Sequence, residues 1–281
     1  MKHIFKHIGL FLFIIIVTPL IAHAHQPRIT ESQQTIVVDP EISKAYYGTL
    51  TNKPDAYIIN ASEPFELYVN LLVPDTKNQK KDVSAVIIKN GNEIAVLEAS
   101  NVTWEKFYEP FGADWYWRGP EYTAQADAGT YEIIVWSSNN DSKYSLAIGK
   151  KEAFDFKETK NALRLIPQLK KDFFETSRLG FIKSPFGWGL VLILYIFAFI
   201  TGFLYRLILK KIFPGTSRGL HKNIGKNDRI MRLIIAVLLL LWAMSTSWNP
   251  IIIFFSGFTL FEAIFSWCGF YAAIGKTTCP L

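Results

Sequence analysis

Asn223-Ile-Gly-Lys-Asn-Asp-Arg229 introduces two long apolar runs, and the chain then closes through Trp267-Cys-Gly-Phe-Tyr271 and Gly275-Lys-Thr-Thr-Cys279. This stretch decides where the rest of the chain belongs. The first run extends from Ile230 to Met244 and the second from Ile251 to about Ala273, joined by the uncharged link Ser245-Thr-Ser-Trp-Asn-Pro250. Upstream lies a third apolar run, Pro185 to Leu209, with no charge before Arg206. Runs of about 20 residues cross roughly 30 Å of hydrocarbon, so three membrane spans are expected.

Charge sets the expected orientation of those spans. From Arg206 to Arg232 there are eight Lys or Arg and one acid, whereas the Ser245–Pro250 link has neither. Basic segments stay on the cytoplasmic side, which places the loop 210–229 and the C-terminus inside. Met1 to Ala24 gives the same answer independently. Lys2 and Lys6 precede an apolar stretch, Ile8 to Ile21, and Ala22-His-Ala24 has the small-x-small form of a cleavage site. Segment 1–24 therefore reads as a signal peptide, and His25 to Lys183 as exported.

The formal charge of +6 is unevenly spread. Residues 25–183 hold 19 basic and 22 acidic side chains, residues 184–281 hold 9 and 2, and the leader supplies the remainder. The basic excess thus serves targeting and orientation, and a nucleic-acid partner is not expected. Both cysteines, Cys268 and Cys279, lie at the far end, so the exported part folds without disulfides.

Residues 25–150 read as an all-β sandwich. Phe65, Leu67, Val69, Leu71 and Val73 alternate with Glu66, Tyr68 and Asn70, the period of a half-buried strand. Asn90-Gly91 separates Val83–Lys89 from Glu93–Glu98, and this dipeptide favours a tight hairpin because both positions accept positive φ. Thr130–Val135 and Tyr144–Ile148 follow as two further strands. That last hairpin, Ala128-Gly-Thr-Tyr131 followed by Tyr144-x-Leu-x-Ile148, resembles the end of bacterial pre-peptidase C-terminal-type jelly rolls.

In segment 151–184, Ala162, Leu165, Leu169 and Phe173 recur at helical spacing against a charged face, with Pro167 expected to bend or restart the helix. The pattern suits a helix at the membrane–water boundary as well as one packed on the sandwich.

Asn223-x-Gly225-x-x-Asp228-Arg229-x-x-Arg232, a span hairpin, and then Cys268-x-x-Tyr271-x-x-x-Gly275-x-x-Thr278-Cys279 resemble the YgaP-like transmembrane domain family. The resemblance covers residues 223–281, with spans at about 230–247 and 250–273. It implies a small two-helix module of a prokaryotic inner membrane. The family often carries Pro where this chain has Gly269, and Gly where it has Ala236. The rhodanese part found with this module elsewhere is absent, so sulfurtransferase activity does not carry over.

Several groups are candidates for chemistry. Asp228 sits where a helix N-terminus favours a carboxylate, and Arg229 and Arg232 suit the headgroup boundary, either as topology signals or as ligand contacts. Glu262 falls near mid-bilayer and needs a polar partner, for which Ser256, Thr259, Ser266 or a second subunit are available. It is a candidate for helix association, including a homodimer through the spans, or for a proton path. Cys268 and Cys279 would lie ~16 Å apart on a straight helix, so a bond between them requires the chain to reverse at Gly275. They are buried thiols or a redox, sulfur-relay or metal pair.

In the exported part, Trp104 to Tyr122 carries eight aromatics, with Pro110, Gly112, Gly119 and Pro120 breaking it into loops. Exposed, Trp104, Trp115, Tyr116 and Trp117 would grip a protein, glycan or small ligand; buried, they cap the sandwich. His25 is the only histidine of this part, which also lacks Cys and Met, so no metal or other cofactor is expected. No nucleophile–histidine pair or phosphate loop occurs there either. The leading expectation is a non-enzymatic membrane-anchored binding protein, and the alternative is a redox or sulfur-handling protein acting through Cys268 and Cys279.

Overall fold

The computed structural model describes residues 25–30, 32–212 and 222–279. The expected signal peptide, 1–24, and the 213–221 part of the expected basic loop lie outside the described residues. The chain divides between Gly180 and Phe181 into two compact units.

Among the described residues the first unit is a two-layer β-sandwich with one α-helix. Its eleven strands are β1 (Gln26–Ile29), β2 (Gln34–Val37), β3 (Lys44–Thr49), β4 (Asp55–Ala61), β5 (Phe65–Pro74), β6 (Ser84–Lys89), β7 (Asn92–Leu97), β8 (Glu105–Glu109), β9 (Asp114–Ala126), β10 (Gly129–Trp136) and β11 (Lys143–Ile148). One sheet has the order β1-β3-β11-β5-β9-β8 and the other β2-β4-β10-β6-β7. The expected β6–β7 hairpin is present, with Asn90 at φ 49° and Gly91 at φ 84°. Between the sheets lie Tyr57, Ile59, Leu67, Val69, Ile87, Ile133 and Leu146, all fully buried. Each such aliphatic side chain contributes roughly 1.5–3 kcal/mol. Tyr144 donates to Asp55 at 2.6 Å and shares a 2.7 Å hydrogen bond with Tyr57, so these two buried hydroxyls are satisfied.

Helix α1 (Phe156–Asp172) covers the other face of the six-stranded sheet. Asp155 caps it by accepting from the Glu158 N–H at 2.7 Å, and Arg28 of β1 pairs with Glu158 at 2.8 Å. At the far end Lys143 donates to the carbonyls of Asp172 and Phe173. Leu169, Phe173 and Phe174 pack on Leu72, Tyr116 and Ala147. Of the two readings of this helix, packing on the sandwich is the one realised. The helix also runs through Pro167 without restarting. This cover explains why β5 alternates only in its first half: Asn70 and Leu72, on the outward face, are buried as well.

The second unit contains α2 (Pro185–Ile212), α3 (Lys226–Thr246), α4 (Pro250–Phe265) and α5 (Gly269–Ile274). α2 and α3 are long and apolar enough to cross a membrane. The helix of the expected third span is interrupted after Phe265, where Ser266 adopts φ 53°, and it restarts at Gly269. At ~1.5 Å per residue α4 is about 24 Å long, short of a full hydrocarbon thickness. Ser256 knits three helices, donating to Ala236 O of α3 at 2.7 Å and meeting Tyr195 of α2 at 2.8 Å. Gly257 lies where a Cβ would come within 2.8 Å of Tyr195, which permits the close α2–α4 crossing.

Candidate functional site

In the β unit, the stretch read as aromatic loops is the β8–β9 hairpin, with Pro110 to Ala113 alone forming the turn. Prolines and glycines suggested more breaks than occur. Gly119 is an in-strand close approach, where a Cβ would meet the Trp104 ring at 2.4 Å. A strand sends alternate residues to opposite faces, and this separates the four expected binding aromatics. Trp115 is 48% exposed and packs on Tyr108, itself 39% exposed, with ring centroids 4.9 Å apart. Trp117 is half-buried on the core, donates to Asp75 at 2.9 Å and lies under the Lys81 ammonium. Trp104 is also half-buried and donates to the Ala99 carbonyl. Tyr116 faces the other way, buried beneath α1 and hydrogen-bonded to Tyr47 at 2.8 Å.

The face of β9 that carries Tyr116 also carries Asp114 and Arg118, and it closes a cavity of about 170 Å³ under α1. Three charged groups around it have protein partners. Lys170 of α1 pairs with Asp114 at 2.8 Å, both almost fully buried. Glu109 accepts from the N–H groups of Phe111 and Gly112, each at 2.6 Å. Burial pushes the Glu109 carboxyl up to about 7, against those two hydrogen bonds. His25 meets the Ser43 hydroxyl, and burial, helped by the Arg118 charge, pushes its imidazole down to about 4. The sequence reading missed Glu109, Asp114, Arg118 and Lys170. Their signal was present in the i, i+2, i+4 spacing of 114, 116 and 118, and in Lys170 beside Leu169 on the apolar stripe of the helix.

In the second unit the motif residues converge. The Asn223 side chain accepts from Cys268 N–H at 2.7 Å and donates to Cys268 O at 3.0 Å. Its backbone carbonyl accepts from Thr278 N–H. Gly225 is required there because a Cβ would lie 2.3 Å from Thr278 O. Asp228 accepts from Arg232 at 3.0 Å and from Thr278 Oγ1 at 3.1 Å. Arg229 donates to Ala263 O at 2.9 Å.

Glu262 is corrected in its partner. It pairs with Arg232 rather than with Ser256, Thr259 or Ser266. Arg232 is largely enclosed by protein and lies 5.3 Å from the Tyr271 ring centre. Gly275, at φ 73°, reverses the chain and so brings Thr278 and Cys279 back to residues 222–225. Cys268 is buried and Cys279 partly exposed, both as free thiols.

Residues 220–281 match the family model for the inner membrane protein YgaP-like transmembrane domain. The C-terminal segment is a YgaP-like transmembrane domain. With its apolar helices it makes this a membrane protein with an N-terminal two-sheet β domain. In the YgaP-like domain the departure at Gly269 has a local reason, since a Cβ there would come within 2.2 Å of Tyr205. Ala236, the other departure, is buried, and its carbonyl accepts from Ser256.

No curated protein matches the chain. Among solved structures, the pre-peptidase C-terminal domain of collagenase from Bacillus anthracis shares 11% identity at TM-score 0.25, over 45% of this chain and 95% of that chain. A beta-glucosidase from Paenibacillus barengoltzii shares 11% identity at TM-score 0.23, over 44% of this chain and 13% of that chain. At such scores neither likeness bears on activity.

Proposed function

We propose that the protein is a non-enzymatic, membrane-anchored binding protein whose β domain lies outside the cytoplasm and docks a partner on the β8–β9 aromatic face. The observation that carries this reading is the exposed Tyr108–Trp115 pair on a hairpin whose β8 is an edge strand. Lys106, held by Asp75 at 2.7 Å, stands 5.2 Å from the Trp115 ring and gives the face a cation beside its rings. Paired exposed aromatics with a fixed charge suit a protein or glycan partner. The basic segment 206–232 and the leader support the orientation, with the C-terminus cytoplasmic.

A photo-crosslinking residue at position 115 of the full chain in intact cells tests the docking. Discrete adducts at 115, absent when the same residue replaces exposed Glu93, are expected. Equal adducts from both positions, or none at 115, overturn the reading. For orientation, Ser100→Cys in a Cys268→Ser/Cys279→Ser background is expected to react with a membrane-impermeant maleimide from outside.

A second reading, redox or sulfur handling on the cytoplasmic side, draws on the return of the chain at Gly275. Cys279 Sγ then lies 3.7 Å from Lys222 O, while Cys268 N–H bonds the neighbouring Asn223. Unreactive thiols and an unchanged phenotype in the double Cys→Ser chain would remove it.

A further inference from the structure

We propose that the cavity between α1 and the outer face of the six-stranded sheet is a receptor site for a small monocarboxylate with an apolar body, bound through Arg118. The walls are largely aromatic, formed by Tyr47, Tyr68, Phe107, Tyr116 and Phe174. Small-molecule sites have this character: a concave apolar surface with few polar groups to fix orientation. The volume of about 170 Å³ is that of a site for a single ring or a short branched chain, since an engineered cavity of about 150 Å³ takes benzene.

Arg118 supplies the polar end. Its guanidinium lies 4.0 Å from the centre of the Phe107 ring. Among the described residues no carboxylate pairs with it and no hydrogen bond is made to it. The other acidic and basic side chains of the cavity are engaged: Asp114 with Lys170, Glu109 with its turn, and the His25 ring with Ser43. Glu121, near enough to accept from Tyr68 at 3.4 Å, leaves Arg118 unpaired. A half-buried guanidinium without a counter-ion is costly to keep, and its planar fork fits a carboxylate through two parallel hydrogen bonds.

One charge on the ligand is favoured over two. Glu109 and Asp114 also line the cavity and would repel a dianion. The His25 imidazole, neutral near pH 7, carries no positive charge of its own. The site does not depend on the partner of Trp115, which stands on the opposite face of β9.

Isothermal titration of the purified full chain in detergent with acetate, butyrate, benzoate and phenylacetate tests the proposal. Binding by at least one of these is expected, with its neutral amide at least tenfold weaker. Arg118→Gln is expected to weaken binding tenfold or more, while Lys53→Gln on the exposed surface leaves it unchanged. Ala147→Leu, which fills the floor of the cavity with Arg118 intact, is expected to abolish binding in a chain whose circular dichroism is unchanged. The proposal is overturned if no carboxylate binds, if the amide binds equally, or if either folded variant binds like the parent.

Discussion

Arg232 and Arg118 are two guanidinium groups that this fold draws away from water, and they are treated in opposite ways. Arg232, in the YgaP-like domain, is answered by Asp228 and Glu262 and by the Tyr271 ring. Arg118, in the β unit, is answered among the described residues only by the Phe107 ring, although Asp114 on the same strand face is itself paired. An enclosed charge has no water to turn to, so the motif brings its own counter-ions. Beside a cavity an unpaired charge can be left for a ligand. The contrast separates a cation that belongs to the fold from one that belongs to function.

The largest effect is expected where that pairing is broken inside the membrane unit. Arg232→Met strands Glu262, takes from Asp228 its guanidinium partner, and is expected to cost about 4 kcal/mol, the scale for removing one partner of a buried pair. The double substitution Arg232→Met/Glu262→Leu is expected to recover most of it, read as resistance to unfolding in detergent. Should the double chain be as damaged as the single one, the pair is not what Glu262 is for.

Next comes the β unit's own buried pair. Lys170→Met leaves Asp114 uncompensated and is expected to lower stability by about 3 kcal/mol in urea unfolding followed by tryptophan fluorescence. Adding Asp114→Leu is expected to restore most of that loss.

Much of this was legible in the sequence, and the exceptions have physical causes. The strands announced themselves by alternation at Phe65–Val73 and by Asn90-Gly91, because one buried face and a positive-φ turn leave direct marks. The amphipathic helix did so only by half, since an apolar stripe has the same period whether it meets lipid or a sheet. Its partner was hidden in β5, where Asn70 reads as solvent-facing although it is buried. The break at Ser266 carried no proline or glycine at that position. Glu262 was recognisable as needing a partner, but Arg232 lies 30 residues away in sequence, on a different helix. The cavity was masked because Asp114, Tyr116 and Arg118 interleave with the tryptophans that drew attention.

A smaller effect is expected from pH. His25 is held neutral in the fold, at about 4 against an ordinary 6.5, so its contribution rises as pH rises from about 4 to 6.5 and is lost below. Glu109 runs the other way. With its carboxyl at about 7 against an ordinary 4.5, the fold holds the proton longer, and stability falls as pH rises between those values. Each effect is roughly 2 kcal/mol once partial exposure is allowed for. Together they flatten the profile of the parent chain. His25→Gln is expected to leave a stability that declines from pH 4.5 to 7, and Glu109→Gln one that climbs from pH 4 to 6.5. A parent-like flat profile in both variants would contradict the assignment.

The smallest change in stability is expected at Trp115→Ala, within about 0.5 kcal/mol because its ring stands on the surface, with the loss appearing instead in partner crosslinking.

The contrast itself is tested most directly by the thermal unfolding of Arg118→Gln beside Arg232→Gln in the same detergent, without added ligand. The account predicts that Arg118→Gln unfolds at or above the temperature of the parent chain, while Arg232→Gln unfolds far below it. A chain destabilised as much by Arg118→Gln as by Arg232→Gln would contradict it, because Arg118 would then be part of the fold.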